Sequence, residues 1–318
     1  MELHRPSGNA ALGFGFAATT MVLWGVLPLA LKHVLTLLDA VTITWFRFLF
    51  SALVLAVLLW RRGALPPVRS FGRGVWVLLG AATLGLAVNY ISYLIGLDWT
   101  TPANSQVLIQ LAPLLLALGG IFVFGEHFTR IQWMGFGILV SGLALFSWSQ
   151  LGVLASVLDT YVAGVGMIVF AAVTWAGYGL AQKQLLRHLP SQAVMLLIYA
   201  GCTVCFAPFA APATLAPLGT TAWLVLLFCA ANTLVGYGAF AAALEHWEAS
   251  RVSAVLSVTP LATLGFAALA RLWIPGSVPV EQLSASSFIG AGLVVLGSLT
   301  TSLGGRDSRT EARPVATD

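Results

Sequence analysis

The chain has 318 residues, of which 59% are apolar and only 8% charged. A water-soluble domain carries about 25% charged residues, so the surface of this protein must face lipid. The net charge of +4 does not mark a nucleic-acid binder, because the basic residues lie in short loops and form no stripe; membrane topology explains them better.

A bilayer core calls for about 20 apolar residues per helix. Ten spans fit, at about 10–31, 40–60, 74–97, 102–124, 130–148, 161–182, 191–211, 221–243, 250–270 and 285–303. The start, MELHRPSGNA, is polar and leads into a full-length span with no cleavage pattern, so no signal peptide is expected. Cys202, Cys205 and Cys229 all sit in apolar runs, and Cys202 and Cys205 are read as buried small hydrophobes rather than a redox or metal pair. With ten spans, one side of the membrane collects twelve Lys and Arg residues and the other only Lys32 and Arg271. The positive-inside rule then places both termini in the cytoplasm.

The stretch Asn89 to Leu115, NYISYLIGLDWTTPANSQVLIQLAPLL, reads as two helices joined by the short polar gap Asp98–Thr101. It returns 147 residues later as GYGAFAAALEHWEASRVSAVLSVTPLA, with Tyr90 echoed by Tyr237, Tyr93 by Phe240 and Pro113 by Pro260. Trp24 matches Trp175 and Lys32 matches Lys183, and glycines 135, 137 and 142 fall on 290, 292 and 297. The chain is therefore read as five helices plus five, residues 1–150 and 151–305, with 306–318 a cytoplasmic tail. Five is odd, so the second copy enters from the opposite face. Inverted repeats of this kind characterise secondary transporters, which place substrate between the halves.

The segments YLIGLDWTTPANSQVLIQLAPLLLALGGIFVFGEHFTRIQWMGFGILVSG and LEHWEASRVSAVLSVTPLATLGF resemble the EamA-type members of the drug/metabolite transporter superfamily, and most of all the bacterial aromatic amino acid exporters. The shared pattern is small residues, a mid-helix proline, a loop glutamate and a glycine-rich helix, once per half. The resemblance implies a ten-helix basket around a central cavity in the bacterial inner membrane, moving small metabolites. Residues 271–280, RLWIPGSVPV, form a segment about eight residues longer than its counterpart and depart from the pattern.

Candidate cavity residues are aromatic or amide: Trp24, Asn89, Tyr90, Tyr93, Gln106, Gln110, Trp175, Tyr178, Asn232 and Tyr237. An unpaired amide in hydrocarbon is costly, so these side chains should face the interior; interhelical bonding and aromatic packing are the alternative for any one of them. Pro28 should loosen the first helix, and Pro113 and Pro260 are candidate bend points. Trp60, Trp99, Trp247 and Trp273 are assigned to the interfacial belt. Arg47 is the sole charge inside a span. It either binds an anionic group such as an amino acid carboxylate or ties helix ends together near Asp39. All eleven acidic residues fall in tails or at span ends, which favours facilitated diffusion or exchange over proton coupling; Asp98 or Glu245 dipping inward is the alternative.

No catalytic set, cofactor motif or metal cluster is present to support a membrane enzyme: there is no HExxH and no GxSxG. The leading expectation is export of aromatic or other apolar amino acids. Multidrug or other metabolite export with proton coupling stands second, and a structural membrane protein is the rival outside transport. The expected partners are a small-molecule substrate and the bilayer, and a monomer suffices to enclose a cavity.

Overall fold

A computed structural model describes residues 9–124, 129–153, 158–247, 252, 255–273 and 284–303. The described residues build α1 (Ala10–Leu35), α2 (Ala40–Arg61), α3 (Arg73–Trp99), α4 (Pro102–Leu108), α5 (Leu111–Phe124), α6 (Arg130–Val153), α7 (Leu158–Leu185), α8 (Ser191–Phe206), α9 (Thr220–His246), α10 (Thr259–Trp273) and α11 (Ala285–Leu303), with short 3-10 turns at Val68–Ser70 and Pro212–Leu215. Five of these, α1, α2, α3, α7 and α9, are each long and apolar enough to cross a membrane. Shorter apolar helices and the α4–α5 pair occupy the other predicted positions. Large apolar side chains such as Leu84, Val204 and Leu272 project outward and are exposed, as expected where the surrounding solvent is lipid.

Local chemistry sets the helix starts. The Asp39 carboxylate accepts from Thr42 N at 2.9 Å, and Thr101 Oγ1 accepts from Asn104 N at 3.2 Å with Pro102 at the first helical position of α4. The predicted fourth span is not continuous, which corrects the expectation of one helix over 102–124. It breaks at Ile109–Gln110, between α4 and α5. Pro113 has no N–H to offer Ile109 O, its partner four residues back, and Ala112 N takes that carbonyl instead at 2.8 Å. The ninth span breaks one residue beyond the equivalent place, at Ser257–Val258, just before α10. In both breaks the turn is tightened by a bond three residues back: Gln110 N to Val107 O at 3.3 Å and Val258 N to Val255 O at 3.2 Å.

The long helices pack in pairs: α6 along α11, α3 along α7, α1 along α9 and α2 along α8. Small residues let the backbones meet. A Cβ on Gly142 would sit 2.7 Å from Val294 N, and one on Gly290 would sit 2.7 Å from Phe146 N. Gly135 and Gly297 are equally closed, by Thr301 and Leu139, whereas Gly137 and Gly292 meet open space. Ser257 Oγ and Ser298 Oγ, 2.7 Å apart, tie the second break to α11.

One sequence reading changes. Cys205 is exposed while Cys202 and Cys229 are buried, because three residues along a helix do not return to quite the same face. Trp247 is half-buried where Trp60 and Trp99 are exposed; its indole packs on Gly13 and lies 6.1 Å from the Phe14 ring. The loop from 274 to 280, the tail 306–318, Glu126, Glu281, most of 250–254 and the side chains of Glu245 and Trp273 lie outside the described residues.

Candidate substrate cavity

α1 supplies the best-connected wall of the interior. Pro28 lies within it, yet the helix runs on unbroken from Ala10 to Leu35. The reason is in the hydrogen bonds. Proline strips Trp24 O of its helical partner, and Gln106 Nε2 of α4 donates to that oxygen at 2.8 Å. On either side, Asn232 Nδ2 of α9 donates to Leu23 O at 2.7 Å and Thr263 Oγ1 of α10 to Gly25 O at 2.8 Å. Three consecutive carbonyls thus receive donors from three helices, which is how a membrane protein tolerates a proline mid-span.

Beside this hub lies a cavity of about 180 Å³. It is lined by Trp24, Asn89, Tyr90, Tyr93, Gln106, Gln110, Trp175 and Tyr237, together with Arg47 and Pro113. Both breaks contribute to its wall, through Ile109 and Gln110 on one side and Leu256 and Thr259 on the other. Aromatic rings run around it: Tyr90 to Tyr237 at 6.1 Å, Tyr237 to Trp24 at 5.1 Å, Trp24 to Phe240 at 5.6 Å and Phe240 to Trp175 at 6.4 Å between centroids. These tilted pairings are the favourable ones for aromatic quadrupoles. Trp24 Nε1 is buried without a hydrogen-bond partner among the described residues.

The amides share one pattern. Asn89 Nδ2 donates to Ala171 O at 2.8 Å, Gln106 Nε2 to Trp24 O and Gln110 Nε2 to Leu256 O at 3.5 Å. Leu256 O is the carbonyl that Pro260 leaves without its helical partner, and Thr259 Oγ1 also donates to it, at 2.6 Å. Each amide spends a donor on backbone, which fixes its orientation.

Tyr178 and Asn232 do not line the cavity. Tyr178 is fully buried between α7 and α8, where its hydroxyl lies 3.6 Å from Met195 Sδ; three residues beyond Trp175 on a helix, it is rotated about 60° away. Asn232 precedes Tyr237 by five residues, about 140° of turn, and its amide is committed to α1. Pro28 and Pro260 lie behind the wall, acting on it through the carbonyls they release.

Arg47 is 2% exposed. Its Nε donates to Thr233 Oγ1 at 3.0 Å, and its guanidinium carbon lies 4.8 Å from the Tyr90 ring centroid. Asp39 is engaged at the start of α2, and no carboxylate pairs with Arg47 among the described residues. The expectation of a tie near Asp39 is therefore replaced by a tie to α9 through Thr233. Thr233, Phe240, Thr259 and Thr263 were not singled out from sequence. Phe240 was visible as the repeat equivalent of Tyr93, whereas the threonines carry no signal that separates them from other span threonines.

These features define a multi-pass helical membrane protein with a cavity lined from several helices. The model of the EamA-like transporter family matches residues 11–148 and 162–303, and the chain belongs to that family. It is similar to an uncharacterized inner membrane transporter, YhbE, of Escherichia coli K12, 38% identical over 299 residues, 94% of this chain and 93% of that one. A probable amino-acid metabolite efflux pump of Salmonella typhimurium is 26% identical over 93% of this chain and 97% of its own. A solved crystal structure with 22% identity superposes on 93% of the chain and 99% of its own at a TM-score of 0.65, a likeness of fold alone.

Proposed function

We propose that this chain is a bacterial inner-membrane secondary transporter that exports small amphipathic metabolites, chiefly aromatic and other apolar amino acids. Transport proceeds by alternating access between two inverted halves, 1–150 and 151–305, with both termini cytoplasmic, and by facilitated diffusion or exchange. The observation that carries this reading is one cavity drawn from both halves, with Tyr90 facing Tyr237 and Gln110 reaching Leu256. The helix pairs support the inversion: exchanging the halves by the sequence offset turns α1 on α9 into α7 on α3, and both pairs are present.

Substrate class follows from the lining. Aromatic faces accept an apolar side chain, and the oxygens of Asn89, Gln106 and Gln110, each held in place by one amide donor committed to backbone, are left to accept from an ammonium group. A cavity of about 180 Å³ is smaller than the roughly 300–1,000 Å³ typical of drug-sized sites, which favours amino acids over multidrug export. None of the described lining residues is acidic, which supports exchange over proton coupling. The relative named as an amino-acid metabolite efflux pump points the same way. Counterflow into proteoliposomes with labelled phenylalanine, threonine, a drug panel and purines tests the reading. Saturable exchange of phenylalanine is the expected result; exchange of drugs or purines alone rejects the substrate class, and no exchange of any solute rejects transport of this kind.

A further inference from the structure

The geometry points to Arg47 as the receptor for the carboxylate of the transported solute, an inference that rests on the cavity being the transport site. Three observations converge. The guanidinium is almost entirely buried, 2% exposed, in the wall of the cavity. Nε is held by Thr233 Oγ1 at 3.0 Å, and among the described residues the two terminal nitrogens have no protein acceptor. No carboxylate neutralises the group among the described residues; the one ion pair there is Lys32 with Asp98.

A buried cation without a counter-ion is costly, and in a bilayer-embedded helix that cost is held only where the charge has work to do. The Tyr90 ring face, 4.8 Å from the guanidinium carbon, stabilises the cation without consuming a donor. Thr233 itself donates back to Cys229 O at 3.0 Å, so the side of the guanidinium that it holds is rigid. What is left is a planar pair of N–H donors bordering an aromatic cavity, the arrangement that takes a carboxylate by two parallel bonds. An inorganic anion such as chloride offers the same charge but not the planar pair of acceptors, and the test separates the two.

The full-length protein in detergent is titrated with 3-phenylpropionate, phenylalanine, phenylalaninamide, phenethylamine and chloride, with binding read by tryptophan fluorescence and thermal shift. Both carboxylates are expected to bind wild type more tightly than the two amines, and Arg47→Gln is expected to weaken the carboxylates by roughly 10- to 100-fold while leaving phenethylamine within about threefold. If Arg47→Gln does not fold, Arg47→Lys is titrated instead, and loss of carboxylate preference is again expected because an ammonium cannot form the paired bonds. Arg47-dependent binding of 3-phenylpropionate without binding of phenylalanine keeps the anchor and removes the amino acid reading of the substrate. The anchor is overturned if the amines bind wild type as tightly as the carboxylates, if the variant weakens all probes equally, if chloride alone shows Arg47-dependent binding, or if no carboxylate binds.

Discussion

Gln106 Nε2 donates to Trp24 O at 2.8 Å, and Trp24 is the residue whose carbonyl Pro28 leaves bare. A cavity-lining amide and a proline one turn away are thus two halves of one device, and they should be energetically coupled. Gln106→Leu strands a buried carbonyl, at a cost of about 0.6–2 kcal/mol by the measured range for interhelical bonds in membranes. In a Pro28→Ala background the new alanine N–H takes Trp24 O, so the same Gln106→Leu change should cost little. A double-mutant cycle on thermal unfolding in detergent measures the coupling; additive losses would mean that the two residues act separately.

Pro113 stands three residues past Gln110 and Pro260 two past Val258, and the two prolines maintain the breaks. Replacing either by alanine returns an N–H to Ile109 O or Leu256 O and lets the helix close across the gap. Each variant is expected to keep or raise its melting temperature and to slow counterflow several-fold, because the break at the cavity wall is where a helix half can swing. Wild-type rates in both Pro113→Ala and Pro260→Ala would sink the gating role.

Composition and hydrophobic run length made the membrane fold legible, and internal repetition made the cavity wall legible. Trp24 and Trp175 or Tyr90 and Tyr237 signal themselves by being polar-tipped aromatics at matching places in each half. Run length is blind to a change of hydrogen-bond register inside an apolar segment, so the breaks at Ile109 and Ser257 read as bent but unbroken helix. Direction was also hidden: Tyr178 and Asn232 have the right chemistry, and only the rotation of α7 and α9 shows that they serve α8 and α1 instead. The fate of Pro28 depended on donors from α4, α9 and α10, which are remote in sequence.

Lys32 bears on coupling. Its Nζ donates to Leu97 O at 2.9 Å, to Thr100 O at 3.1 Å and to Asp98 O, closing the end of α3, while its ion pair with the Asp98 carboxylate spans 3.8 Å. The Asp98 side chain is half exposed, so that pair contributes little, about 0–1 kcal/mol. Asp98→Asn should therefore transport within about twofold of wild type, a margin set by so weak a pair, and should show no change in response to an imposed proton gradient. Lys32→Met should be more destabilising than Asp98→Asn, because three carbonyls at a helix end lose their cation. Loss of gradient-driven uptake in Asp98→Asn would restore proton coupling through that carboxylate.

The contact between α6 and α11 gives a test with built-in controls. Gly142 and Gly290 each face backbone atoms of the opposite helix at 2.7 Å from a hypothetical Cβ, while Gly137 and Gly292, on the same two helices, face nothing within 4 Å. Helix propensity treats all four alike, since valine replaces glycine in a helix in every case. Packing does not: at Gly142 and Gly290 the obstructing atoms are main chain, so the helices must separate. Gly142→Val and Gly290→Val should each lose about 1–3 kcal/mol, the usual cost of overpacking, and appear as reduced folded yield in detergent-screened size-exclusion profiles. Gly137→Val and Gly292→Val should match wild type or exceed it. Equal behaviour of the four variants would mean that this contact does not hold the two helices together.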